Sequence, residues 1–213
     1  MQSPLAVSWR GVFPAATTQF AGDFSVDMPA TGEVQARLIR DGVHGMVVLG
    51  TVGENNSLEP DEKRAVLRAA VELSAGRIPI ISGVAELTTA RAVRFAVDAE
   101  KLGAAGLMVL PAMVYVPTTE ELIAHFSAVA QATSLPIMLY NNPPAYRASV
   151  TLEALEKLAR FPNIVCVKES APDTRRFTDI ANAFGDRFIL FAGLDDVALE
   201  ALMLGARGWV SGL

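Results

Sequence analysis

The sequence predicts a closed parallel (β/α)₈ barrel, and three observations carry that prediction. Short apolar runs alternate with amphipathic helical stretches along the whole chain. The runs are almost continuously apolar, as expected of parallel strands covered on both faces. Eight of them recur at a spacing of about thirty residues, which fits a closed barrel better than the alternative, an open doubly wound sheet.

The strand-like runs occupy residues 11–18, 45–50, 78–84, 106–111, 136–141, 164–170, 188–193 and 208–213. Seven helical patterns separate them, at 29–41, 60–75, 89–102, 119–132, 152–160, 174–184 and 195–204. Pro60 suits a first helical turn, where its missing N–H would have no partner in any case. Thr118 with Glu121 reads as a capping box opening the fourth helix. Gly76, Gly103 and Gly185 follow helices at positions where a left-handed residue is often needed. The pattern stops at the eighth strand without an eighth helix, whereas such barrels typically take about 250 residues. The sequence therefore reads as one catalytic domain, 1–213, incomplete at its C-terminus. The flank of strands 8 and 1 is expected to be an exposed apolar patch.

Composition narrows the function. The chain has 213 residues, 51% of them hydrophobic, enough for one full core and short for two domains. With a net charge of −5 and no basic stripe interleaved with aromatics, nucleic acid is not an expected partner. No polybasic or basic amphipathic segment suggests a membrane surface. The longest apolar stretch, 106–117, is too short to span a bilayer. The first ten residues lack the charge-then-apolar order of a secretory signal. One cysteine, Cys166, allows no internal disulfide and fits a reducing compartment, so the expected location is cytoplasmic. No His/Asp/Glu cluster has metal-ligand spacing, and no Gly-rich dinucleotide fingerprint follows the first strand. No metal or other cofactor is therefore expected. His44 and His125 are not taken as functional, and Cys166 reads as a small buried apolar residue.

Lys168 is the exception to an otherwise ordinary distribution of charge. Lys63, Lys101 and Lys157 lie in charged, helix-like stretches, but Lys168 sits inside the β-branched run Ile164-Val165-Cys166-Val167-Lys168-Glu169-Ser170. Burying an ammonium is costly, and its usual result is a depressed pKa. A neutral amine is what attack on a carbonyl requires. The plainer reading is a strand-end lysine that snorkels to solvent or pairs with a carboxylate.

In a barrel the active site lies at the C-terminal ends of the strands. The groups expected to converge are Gly50-Thr51-Val52-Gly53-Glu54, Tyr115 after strand 4, Tyr140-Asn141-Asn142-Pro143, Lys168-Glu169-Ser170, Gly193-Leu194-Asp195 and Ser211-Gly212. Period-two alternation puts Cys166, Lys168 and Ser170 on one strand face, and Met138 with Tyr140 on one face of its neighbour. If Lys168 points inward, Tyr140 can meet it at the mouth.

The motifs Gly50-Thr51-Val52-Gly53-Glu54, Tyr140-Asn141-Asn142-Pro143 and Val167-Lys168-Glu169, in this order and spacing, resemble the dihydrodipicolinate synthase / N-acetylneuraminate lyase family over 11–213. The resemblance implies a class I lyase or aldolase that handles pyruvate or another 2-oxo acid through a lysine Schiff base. It implies a homo-oligomer, usually a tetramer. It assigns Lys168 to the imine, Tyr140 to proton transfer and Thr51 to a hydroxyl relay with Tyr140. The loop of Gly50, Thr51, Val52 and Gly53 would hold the substrate carboxylate, partly through backbone N–H groups. Tyr115 matches the family's second relay tyrosine, which in the synthases reaches a neighbouring subunit's site. Gly193 and Ser211 would line the mouth.

Three departures from the family pattern bear on the substrate. Val52 stands where many members have a second hydroxyl residue. The loop carrying Tyr115 is longer by about one residue than the usual version. The synthases carry an arginine five residues after the strand-5 tyrosine, for the second substrate's carboxylate; here that position is Ala145, with Arg147 two residues later. Cleavage, condensation or dehydration of 2-oxo-3-deoxy acids is the expected reaction. The alternatives are 4-hydroxy-tetrahydrodipicolinate synthesis, deamination of a cyclic imino acid, and a non-enzymatic barrel that only binds a 2-oxo acid.

Overall fold

The computed structural model describes residues 4–112 and 114–212. Its strands and helices follow in the order β1 (Gly11–Val12), α1 (Met28–Arg40), β2 (Met46–Val48), α2 (Pro60–Ser74), β3 (Ile80–Val84), α3 (Thr89–Lys101), β4 (Gly106–Val109), α4 (Thr119–Ala132), β5 (Ile137–Asn141), α5 (Pro143–Tyr146), α6 (Leu152–Leu158), β6 (Ile164–Glu169), α7 (Arg175–Phe184), β7 (Ile189–Ala192), α8 (Ala198–Met203) and β8 (Gly208–Trp209). Each expected strand and helix is present, mostly with trimmed ends. Among the described residues one α-helix is additional, α5, a single turn directly after β5, and short 3-10 turns such as Asn55–Ser57 also occur.

All strand pairs are parallel, in the order β1-β8-β7-β6-β5-β4-β3-β2. The ring closes beyond β1, where Ala15 bridges Val47; the Val47 N–H donates to the Pro14 carbonyl and the Ala16 N–H to the Val47 carbonyl. The fold is the (β/α)₈ barrel that the sequence predicts.

Two apolar layers explain why the strands are apolar throughout. Met46 and Val48, Leu107 and Val109, and Ile137 and Leu139 face the surrounding helices. Val47, Met108, Met138 and Phe191 fill the barrel interior with Trp9 and Phe13. Alternation survives, but both faces meet hydrocarbon. The Thr118–Glu121 capping box forms at α4, and Gly76, Gly103 and Gly185 all take positive φ.

Two sequence expectations need revision. Lys63 is not an ordinary surface lysine: it is buried on α2, with its Nζ 2.7 Å from the carboxylate of buried Glu86. At the β8–β1 flank, Val12 and Trp209 are half-buried rather than exposed. The exposed apolar side chains near the chain's end are on and just after α8: Leu199, Leu202, Met203 and Leu204.

Candidate active site

Strands β5 and β6 build the centre of the site. Tyr140 and Lys168 are register partners across this pair. The register contains an irregularity: Ile137 faces Ile164, whereas the next residue, Met138, faces Cys166, so Val165 is bulged out of the ladder. Val165 and Cys166 consequently both face the interior, while Ile164 and Val167 face the helices. The bulge resets the alternation so that Lys168 points into the barrel mouth, the re-aiming that bulges beside active sites commonly perform.

Lys168 is 6% exposed, and its Nζ lies 3.7 Å from the centroid of the Tyr140 ring. Burial lowers its pKa, opposed by Tyr140 and by the more remote charge of Asp195. For Tyr140 the balance has the opposite composition and the same direction. Burial pushes its pKa up, but the Lys168 charge and hydrogen bonding with Ser170, Asn142 and Lys168 outweigh burial and bring it below the usual phenol value. The Asn142 Nδ2 donates to the Tyr140 hydroxyl at 2.9 Å. The Lys168 charge favours the Tyr140 phenolate and that phenolate favours the Lys168 ammonium, so the two groups titrate as a pair, an amine nucleophile beside an acid/base. Below Lys168, Cys166 is fully buried, and burial raises its thiol pKa, so it is inert.

The turn after β2 brings a third hydroxyl. Leu49 and Glu54 are left-handed at φ 58° and 56°, bracketing residues 50–53. Strain of this kind costs about 1–3 kcal/mol per residue and is retained where the surroundings enforce it. Gly83 on β3 makes room for it, because a Cβ there would lie 2.0 Å from the Leu49 carbonyl oxygen. Thr18 secures the turn through its hydroxyl, which donates to the Gly53 carbonyl at 2.7 Å. Thr51, at the exposed tip, places its Oγ1 2.7 Å from the hydroxyl of Tyr146 on α5. Gly50 lies over Met108, and Val52 is exposed at the tip.

Tyr146 was not among the expected site residues. Its ring meets that of Tyr140 edge-on, centroids 5.6 Å apart at 89°. By contrast, Tyr115 is 61% exposed, and its hydroxyl donates to the Glu121 carboxylate. Within this chain it is not brought to Thr51. Arg147 is exposed and left-handed, closing α5. Ser211 is buried at the end of β8, where its backbone pairs with Ala15 and Phe13. His125 is a satisfied core histidine, held by Thr89 and the Leu110 carbonyl, with its pKa lowered by burial.

Gly193 sets the space around the lysine. A Cβ there would lie 2.0 Å from the Ser170 Oγ, 2.9 Å from the Lys168 Cε and 3.0 Å from its Cγ. Gly193→Ala is therefore expected to displace the Lys168 side chain and cut kcat/KM by about 100-fold. The destabilisation should stay within the ~1–3 kcal/mol of an overpacked site. Steady-state kinetics with urea unfolding would check this, and wild-type kinetics in the variant would refute it.

A buried polar network locks this arrangement from outside. The Asn141 Nδ2 donates to both Glu169 oxygens at 2.7 and 2.9 Å, and the Asn141 Oδ1 accepts from the Val150 N–H at 2.8 Å. Glu169 also accepts from the Ala171 N–H and from Arg176. Burial raises the Glu169 pKa against the pull of Arg176. These bonds fix both ends of the segment carrying α5. At the opposite side of the mouth, Asp195 accepts from the Trp209 indole at 2.9 Å and from the Gly212 N–H at 3.0 Å, tying the ends of β7 and β8 together.

A parallel (β/α)₈ barrel with a buried, pKa-depressed lysine facing a tyrosine at its mouth defines a class I, Schiff-base-forming lyase. Comparison with known proteins agrees. The family model described as "Dihydrodipicolinate synthetase family" matches residues 8–213, and the chain belongs to that family. It is 36% identical over 206 residues to the 4-hydroxy-tetrahydrodipicolinate synthase of Desulforamulus reducens, covering 96% of this chain and 70% of that protein. Among solved structures, dihydrodipicolinate synthase from Aquifex aeolicus superposes with a TM-score of 0.92 at 33% identity, over 96% of this chain and 70% of that one. A chloride-inhibited dihydrodipicolinate synthase from Acinetobacter baumannii, complexed with pyruvate, gives 0.91 at 30% identity over 95% and 69%. Among the described residues no helix is long and apolar enough to cross a membrane.

Proposed function

We propose that Lys168 forms an imine with pyruvate or a related 2-oxo acid and that Tyr140 moves the protons of the reaction. The observation that carries this reading is the register pair itself, a buried lysine whose Nζ lies 3.7 Å from the centroid of a buried tyrosine ring at the barrel mouth. The neutral Lys168 amine adds to the keto carbon, and the carbinolamine hydroxyl takes a proton from Tyr140 and leaves as water, giving a protonated imine. That imine withdraws electrons, so an adjacent C–H or C–C bond can break and leave an enamine. The turn at Gly50, Thr51, Val52 and Gly53 faces the mouth where the 2-oxo acid carboxylate would lie. Gly193 leaves room for it and Ser211 lines the far side. A single catalytic domain, working in the cytoplasm as a homo-oligomer, fits the lone buried cysteine and the contiguous exposed Val114, Tyr115 and Val116.

Borohydride trapping tests the proposal. The purified full chain, incubated with pyruvate and sodium borohydride, should gain one stable adduct that peptide mapping places on Lys168. A protein that stays unmodified under these conditions does not form the imine. A second reading, 4-hydroxy-tetrahydrodipicolinate synthesis, is favoured by the name of the Desulforamulus reducens relative. Against it stands Ala145, which offers no cation for the second substrate; the exposed Arg147 would have to supply it. Turnover of pyruvate with an amino-acid semialdehyde, compared with cleavage of 2-oxo-3-deoxy sugar acids, separates the two.

A further inference from the structure

We propose that Tyr146 is a proton-relay residue of this site, supplied by the same chain and linking Tyr140 to solvent through Thr51. The inference rests on the Schiff-base reading above and adds the route by which the proton leaves. Thr51 Oγ1 and the Tyr146 hydroxyl are 2.7 Å apart, in a hydrogen bond that joins residues 95 positions apart in sequence. The Tyr146 ring also meets that of Tyr140 edge-on, with centroids 5.6 Å apart, which sets the two phenols side by side. Lys168, Tyr140, Tyr146 and Thr51 thus lie in succession, joined by two ring contacts and one hydrogen bond, from the buried amine to the exposed tip of the β2 turn.

The local structure holds that series in place. Asn142 acts twice: its Oδ1 accepts from the Ala145 N–H at 3.2 Å, starting α5, and its Nδ2 donates to the Tyr140 hydroxyl at 2.9 Å. One side chain therefore fixes both tyrosines relative to each other. The far end of the segment is pinned by the Val150 N–H on the Asn141 Oδ1. Tyr115, which the resemblance matches to a tyrosine reaching a neighbouring subunit's site, donates its hydroxyl to Glu121 within this chain.

The electrostatics suit a relay. Burial first, then the negative charge of Tyr140, raises the Tyr146 pKa far above the usual phenol value. Tyr146 therefore stays a neutral phenol that donates with its hydrogen and accepts with its lone pairs. When the imine loses a proton from the adjacent carbon, the C–H electrons form the enamine C=C and the iminium nitrogen becomes neutral. The proton enters at the Tyr140 oxygen. The oxygens of Tyr140, Tyr146 and Thr51 each gain one proton and release one, and the last passes to water. No side chain changes its net charge.

Tyr146→Phe keeps the ring and deletes the hydroxyl. Two readouts separate this inference from the Schiff-base reading: borohydride trapping of pyruvate at Lys168, and exchange of the pyruvate methyl protons into D₂O followed by NMR. Trapping should stay within about two-fold of wild type, while exchange falls about 100-fold, at the lower end for a lost acid–base partner. Thr51→Val should slow exchange comparably, Thr51→Ser should restore it, and the Tyr146→Phe/Thr51→Val double variant should be no slower than the worse single, as members of one relay are non-additive. A packing role alone would leave exchange in the folded Tyr146→Phe protein unchanged. Intact trapping with wild-type exchange, or multiplicative losses in the double variant, would overturn the relay and leave the imine standing. No trapping in the wild type would overturn both. If Tyr146→Phe does not fold, the Thr51→Val and Thr51→Ser pair decides: equal exchange in the two overturns the relay, and restoration by serine alone supports it.

Discussion

Lys168→Met is expected to abolish the pyruvate adduct, lower turnover by ~10⁴-fold or more, and at the same time raise the melting temperature. The first two effects follow from removing the proposed nucleophile, since loss of one member of a catalytic unit commonly costs this much. The third follows from the pKa. The folded-state value of Lys168 lies below the ordinary 10.5 because burial penalises its charge. Between those two values the unfolded chain binds more protons than the folded chain, so stability rises with pH across the window. Below the folded value the whole penalty is present; above 10.5 it has vanished. Methionine fills a similar volume without the charge. The variant should therefore melt above wild type at neutral pH, and the gap should narrow as pH rises towards that limit. Each ~1 kcal/mol of relief is worth about 2–4 °C in a domain of this size. Thermal melts at a series of pH values check the sign. A variant less stable than wild type at neutral pH would mean that the Lys168 ammonium is a net stabiliser, through its contact with the Tyr140 ring.

The barrel and the singular lysine on its sixth strand were legible for one reason: both rest on local patterns. Met46–Val48 and Ile80–Val84 are short apolar runs wherever they pack, and a lysine within Ile164–Glu169 stands out against its own neighbours. What the sequence hid depends on contacts distant along the chain. Lys63 sits in a charged helical stretch, and its burial becomes visible only once Glu86 arrives from the end of β3, 23 positions away. The bulge at Val165 leaves no mark in an all-apolar run, although the inward direction of Lys168 depends on it. Tyr146 was overlooked because Pro143-Pro144 reads as a turn and a single helical turn has no periodicity to detect. Its one usable signal was that it is among three tyrosines in the chain and lies six residues beyond Tyr140. Tyr115 was matched through the family resemblance to a tyrosine that reaches a neighbouring subunit's site, and within this chain its hydroxyl donates to Glu121, which also caps α4.

Tyr140→Phe should separate imine formation from turnover. The phenol raises the Lys168 pKa through its charge and hydrogen bond. Removing the hydroxyl therefore lowers that pKa further and enlarges the neutral-amine fraction near pH 7. Trapping with pyruvate and borohydride should persist for this reason. Proton transfer should not: losing a positioned acid–base group typically costs about 10²–10⁴-fold. The pH dependence distinguishes a chemical role from a packing one. In the wild type, methyl-proton exchange should climb with pH as Tyr140 ionises below the usual phenol value of 10.0, because the phenolate is the base. In the variant that climb should be absent, leaving a slow and nearly flat profile. The structural cost is small, since phenylalanine fills the same space and each hydroxyl bond lost, such as that from the Asn142 Nδ2, is worth about 1 kcal/mol. A Tyr140→Phe protein that exchanges methyl protons within ten-fold of wild type, with the same pH profile, would assign the base to another residue. Loss of the adduct with an intact fold would instead make Tyr140 essential for carbinolamine dehydration, moving its main role one step earlier in the reaction.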